Sequence, residues 1–216
     1  MSDAEINTTD ALQKSVTAPA GYTLAHRFIL TAKRTLLWMN VIGVVLFLFA
    51  LGVVFWALLF YQWLGSPLVI QRLPAELPIW VYFLLIVGTL ALHELLHGIP
   101  IWRYGKTPHF GIKVSKLVLF TTSDDFFTHH EYLVVTVTPL LAISVVGLVV
   151  MLLVPINIAL WVGIMVAMNF ASSIGDMWMA AVIASFARVA LFHDEEDGMS
   201  VFLPDDQLSE IANANG

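Results

Sequence analysis

The sequence predicts an all-α integral membrane protein: four transmembrane helices, with a short cytoplasmic β-hairpin or strand segment between the second and third. Three observations predict it. Apolar residues make up 59% of the 216 and charged residues only 12%, which is too apolar for a soluble domain of this size. Four long apolar runs each approach or exceed the roughly 20 residues a helix needs to cross a bilayer. Nine of the ten lysines and arginines fall on one side of those runs, and the positive-inside rule then places both termini in the cytoplasm.

Residues 1–25 are polar and acidic, unlike a secretory signal peptide, and are expected to form a disordered arm. The membrane domain is expected over 26–190. Its first helix covers about 36–61, with no charge between Arg34 and Arg72. The second covers about 79–102, where Glu94 is the only formal charge. The third, about 132–153, and the fourth, about 156–186, are separated by Pro155 and form a tight helical hairpin. Arg72 is the one basic residue in the loop between the first two helices, and the loop between the last two has none. Between the second and third helices, Phe110, Ile112 and Val114 alternate with polar residues, which suggests a short strand or hairpin. Residues 191–216 read as a solvated acidic cytoplasmic tail with one short helix after Pro204. Cysteine is absent, which excludes disulfides and thiolate metal sites. No basic footprint for nucleic acid is present.

The chemistry concentrates in "TLALHELLHGIP", residues 89–100. Ionisable groups are costly at membrane depth and usually mark function. His93, Glu94 and His97 form an H-E-x-x-H motif. On a helix, positions i and i+4 share a face, so both imidazoles can reach one ion. Zinc suits imidazole nitrogen, and Glu94 is placed to act as the general base toward a zinc-activated water. The bland reading is a core cluster bonded only to itself. A catalytic zinc needs a third protein ligand, and Asp176 is the only other formal charge well inside a predicted helix. Counting ~1.5 Å per residue back from Arg103 and Arg188 puts His93, His97 and Asp176 at similar depth, in the cytoplasmic half. Glu131 and His130 are fallback ligands. Together with Asp124, Asp125 and His129 they otherwise read as the solvated start of the third helix. In "NFASSIGD", Asn169, Ser173 and Asp176 fall on one helical stripe. Asn169 is a candidate catalytic residue that steadies a carbonyl or developing oxyanion, or else an interhelical hydrogen-bonding residue.

H-E-L-L-H at the end of one membrane helix, with Asn169 and Asp176 in a later one, resembles the membrane zincin peptidases. That prokaryotic family is similar to the site-2-protease group of intramembrane metalloproteases. The resemblance covers about 36–204. It implies Zn2+ held by His93, His97 and Asp176, with Glu94 as base, in the prokaryotic plasma membrane. It also implies hydrolysis of a membrane-protein or peptide substrate in or beside the bilayer. A strand within 110–120 is similar in position to the edge strand that holds substrate in site-2 proteases. The chain departs from the site-2 pattern after Asn169: no proline precedes Asp176, and Gly175 comes before the aspartate rather than after it. The expected function is a membrane-embedded zinc metalloprotease. The rivals are a non-enzymatic metal-binding scaffold or sensor, and a small proton-coupled transporter using Glu94 and Asp176.

Overall fold

The computed structural model describes residues 17–29, 33–63, 78–113, 118–195 and 198–207. The acidic arm up to residue 16, the Arg72 loop, Lys116, Glu196, Asp197 and most of the segment after Pro204 lie outside the described residues.

The described chain runs β1 (Tyr22–Ile29), α1 (Lys33–Trp63), α2 (Ile79–Arg103), β2 (His109–Lys113), β3 (Val118–Thr122), β4 (Phe126–Thr128), α3 (His129–Leu153), α4 (Ile156–Ser172), α5 (Ile174–Ser185), β5 (Leu191–Glu195) and β6 (Gly198–Pro204). Three helices are long and apolar enough to cross a membrane. The pair α4 and α5 can supply a fourth span, bent by 45°. α4 packs between α1 and α3, and α2 packs on α3. Gly147 faces Val166 and Gly163 faces Val54, where any Cβ would meet the valine side chain. These small residues let α3 and α1 approach α4 closely. The outer faces remain apolar: Leu37, Val44, Leu48, Phe49 and Trp56 on α1 are all more than half exposed. In water such a surface would aggregate, whereas in a bilayer the lipid tails cover it.

The span expected over 156–186 is broken at Ser173. The Asn169 carbonyl accepts from the Ser173 backbone N–H (3.0 Å), from Ser173 Oγ (2.8 Å) and from Ser172 Oγ (3.0 Å). Hydroxyls that bond back onto the preceding turn compete with the helical ladder and bend it.

The acidic tail is likewise not a free segment over its described part. β5 and β6 pair with β1 and β4 in one antiparallel sheet of order β1-β6-β5-β4. β6 is buried along nearly its whole length, which explains the apolar run Met199, Val201, Phe202 and Leu203. Residues 22–25, assigned to the disordered arm by composition, are the start of β1. Glu195 of the acidic run is paired within the sheet. Glu195 accepts from Arg27 Nη2 (2.6 Å), Arg27 Nε (3.0 Å) and the Ser200 hydroxyl. Residues 205–207 form a helical turn after Pro204, and the rest of the expected helix lies outside the described residues.

This sheet fixes topology. It ties the segment before α1, the connection from α2 to α3 and the segment after α5 to one end of the helices. Beneath it lies a core built from Ile101 of α2, Tyr132 and Val135 of α3, Ile183 of α5, and Phe192 and Val201 of the sheet. The predicted hairpin between α2 and α3 is β2–β3, a separate two-stranded sheet with Phe110 opposite Thr121.

Two predictions follow from the sheet. A Cβ on Gly198 would lie 1.8 Å from the Phe28 carbonyl oxygen across the β1–β6 pair. Gly198→Val therefore forces the strands apart and should lower stability by about 1–3 kcal/mol, read as a lower unfolding midpoint in detergent. Removal from water pushes the Asp194 carboxyl up from its ordinary 3.8 to about 7, against the opposing pull of the Tyr132 hydroxyl that donates to it at 2.9 Å. Between those two values the folded state holds a proton that the unfolded state has released. The contribution of this group is greatest below about pH 4 and is lost as the pH rises through 7. Asp194→Asn should flatten that part of the midpoint-against-pH curve.

Candidate metal centre

The helical spacing of His93 and His97 puts both rings on the buried face of α2, with centroids 5.0 Å apart. The break at Ser173 places Asp176 in the first turn of α5, where a carboxylate is favoured by the helix N-terminus. All three residues are buried. One donor atom from each lies within 4.8 Å of the others, and this is the one such cluster among the described residues. His93 Nε2 is 3.1 Å from Asp176 Oδ2, and His97 Nε2 is 3.5 Å from Asp176 Oδ1.

The outer nitrogens define what the inner ones present. His93 Nδ1 is 2.9 Å from Asn169 Oδ1, and His97 Nδ1 is 2.9 Å from the Val135 carbonyl. Both partners are oxygens that only accept, so each Nδ1 carries the proton and donates. The Asn169 amide is oriented by its other end, since Nδ2 faces the Pro139 carbonyl at 3.5 Å. In a neutral imidazole a protonated Nδ1 leaves Nε2 with a lone pair. Two lone pairs and a carboxylate then point at one another in a buried space. A cation at their centre, or an added proton on each ring, is required to relieve the repulsion.

The donor set fits zinc. Bonds of ~2.0–2.1 Å in a tetrahedron give a donor–donor edge of about 3.3 Å, and the two observed separations straddle it. Asp176 Oδ2 is buried and makes no hydrogen bond, although His93 Nε2 is close. That is the geometry of two atoms aimed at a common point. Histidines whose outer N–H is held by a carbonyl oxygen are also the usual supports of a zinc site.

Glu94 follows His93 on α2 and is half-buried. Beside it, Thr121 of β3 donates to the Glu94 backbone carbonyl at 2.8 Å, fastening the hairpin to the motif helix. Gly98, one residue beyond His97, lies against Phe110 of β2, where a Cβ would come within 2.5 Å of the ring. Asn169 is 1% exposed, and its amide is occupied by His93 and Pro139. Those two hydrogen bonds join α4 to α2 and α3. Of the two fallback ligands, Glu131 has other partners. Glu131 closes a capping box at the start of α3 and accepts from Lys106 Nζ at 2.8 Å, and His130 is exposed. Asp125 accepts from Thr107 N–H and the Ser123 hydroxyl.

The Val135 carbonyl, the Lys106–Glu131 pair and the Thr121 contact were not anticipated from sequence. The first is a backbone atom and has no residue-type signature. The only trace it leaves is a proline four residues later, inside an apolar helix.

Comparison with protein families matches residues 85–191, just under half of the chain, to a family described as "Putative zincin peptidase". The match contains α3, α4, α5 and the part of α2 that carries His93, Glu94 and His97, and it supports placement in a zincin-like family. No curated protein and no solved structure matches the chain.

If Asn169 holds the His93 ring, Asn169→Ala should weaken zinc binding by roughly 10- to 100-fold, as loss of a ligand's supporting hydrogen bond does. Titration of the metal-free protein with zinc against a chelator of known affinity measures this directly.

Proposed function

We propose that this chain is a membrane-embedded zinc metallopeptidase that hydrolyses peptide bonds in or beside the bilayer. The observation that carries the reading is the convergence of His93, His97 and Asp176 on one buried point, with Glu94 on the same helix as the two imidazoles. The zincin-like family match supports it. His93, His97 and Asp176 would hold the ion, and the set leaves a fourth position for water or substrate. When bound, zinc supplies Lewis acidity toward both water and the scissile carbonyl.

The chain's own residues do the rest. Glu94 takes the proton from the attacking water and passes it to the leaving amine. Asp176 and the two imidazoles stay fixed, because α5 and the two carbonyl-type acceptors hold them. The hairpin β2–β3 offers backbone beside the motif helix. A substrate segment unwound from its own helix could pair with it as an added strand and so expose its peptide carbonyls.

Orientation belongs to the same reading. The end of the bundle that carries the four-stranded sheet also carries Arg27, Arg103, Lys106 and Arg188. By the positive-inside rule that end faces the cytoplasm, in a prokaryotic plasma membrane, with both termini on the same side. The site lies at this end of α2, so water reaches it from the cytoplasm.

The test is Glu94→Gln in a cleavage assay against a panel of single-span membrane peptides. The variant should keep its zinc and lose at least about 100-fold in rate, the usual contribution of a positioned general base. A zinc-loaded Glu94→Gln protein that cleaves at the wild-type rate would remove Glu94 from the mechanism. Wild type that binds zinc and cleaves nothing in the panel would favour the non-enzymatic scaffold.

A further inference from the structure

Pro139 lies inside α3, fully buried. A proline has no backbone N–H, so it cannot make the helical bond to the carbonyl four residues before it, and its ring pushes that carbonyl outward. Four residues before Pro139 is Val135. The Val135 carbonyl is the oxygen that accepts from His97 Nδ1 at 2.9 Å. Val135 is itself buried, so without another donor its oxygen would be left unsatisfied in an apolar environment. The imidazole N–H of His97 supplies the donor that the proline removes. Pro139 also offers its own carbonyl, which faces Asn169 Nδ2 at 3.5 Å, while Asn169 Oδ1 accepts from His93 Nδ1. The supports of both histidines therefore meet at one proline on the neighbouring helix.

We infer that Pro139 is a positioning residue for the metal centre: it frees the Val135 carbonyl to hold His97 in the Nδ1–H tautomer, with Nε2 facing Asp176. This rests on the zinc reading given above. Pro139 touches neither the ion nor the substrate and acts only through His97 and, by its own carbonyl, through Asn169. An ordinary residue at 139 would return an N–H to the Val135 carbonyl and draw that oxygen back toward the helix axis. His97 would then lose the partner that fixes its tautomer and ring angle.

The experiment uses the full chain in detergent. Zinc affinity is measured by competition with a chelator for wild type and Pro139→Ala, and the unfolding midpoint of each metal-free protein is measured beside it. Zinc binding should weaken 10- to 100-fold in Pro139→Ala, while the metal-free midpoint stays level or rises, since alanine suits a helix better than proline. Equal zinc affinity in the two proteins would overturn the inference and leave the zinc reading intact. A parallel fall in affinity and metal-free stability would also overturn it, by showing Pro139 to be packing alone. Wild type that takes up no zinc would defeat the zinc reading instead. If Pro139→Ala does not fold, 15N spectra of histidine-labelled, zinc-loaded wild type decide the matter, because a metal-bound imidazole keeps only one N–H. His97, assigned by its disappearance in His97→Gln, should carry that proton on Nδ1. A proton on Nε2, with Nδ1 toward the metal, would overturn the inference.

Discussion

Two imidazole nitrogens and a carboxylate face one another in a buried space, with their outer hydrogen bonds arranged so that none of the inner atoms is supplied with a donor. Each Nδ1–H is held by a carbonyl oxygen, one from the α3 backbone and one from the Asn169 amide. An arrangement of acceptors alone is unfavourable unless positive charge sits among them, and low dielectric magnifies the penalty. The rest of the fold serves to impose that arrangement. α2 presents both histidines from one face, the break at Ser173 turns Asp176 toward them, and α3 packs against α2 closely enough to offer a backbone oxygen.

The terminal sheet stiffens this end of the bundle. The core beneath it includes Val135, whose carbonyl holds His97, and Tyr132 one turn earlier, whose hydroxyl donates to Asp194 of β5. At the start of α3, Lys106 bonds Glu131 and lies over the Phe127 ring, which ties the segment after α2 to the capping box. A shift of α3 along its axis would strain both contacts, so the height of the Val135 oxygen relative to His97 is fixed from two sides. Metal-site chemistry demands such support, because a ligand held loosely by about an ångström loses much of its value.

Much of this could be read in the sequence, for reasons that differ by residue. The membrane runs stand out because a bilayer demands long uninterrupted apolar stretches. His93, Glu94 and His97 stand out because ionisable groups are rare at that depth, and Asp176 because it is the single charge in the later run. The terminal sheet could not be read. β1 and β5–β6 are separated in sequence by all five helices. The acids near 194 look solvated until their partners, Arg27 and the Tyr132 hydroxyl, are known from distant parts of the chain. The bend at Ser173 left a local trace in adjacent serines and Gly175, but its direction depends on packing. The Val135 carbonyl was invisible in principle, since every residue has one. Its use becomes legible only when Pro139 is counted back by one helical hydrogen bond.

The central claim is that one metal ion joins His93, His97 and Asp176. Its most direct measurement is the metal content of detergent-purified protein, with X-ray absorption at the zinc edge to read the ligand shell. The account predicts about one zinc per chain, two nitrogen ligands of imidazole type with oxygen completing the shell, and loss of the ion in both His93→Ala and Asp176→Ala. Folded wild type that holds no metal after zinc is supplied would contradict it and leave a protonated polar cluster between helices.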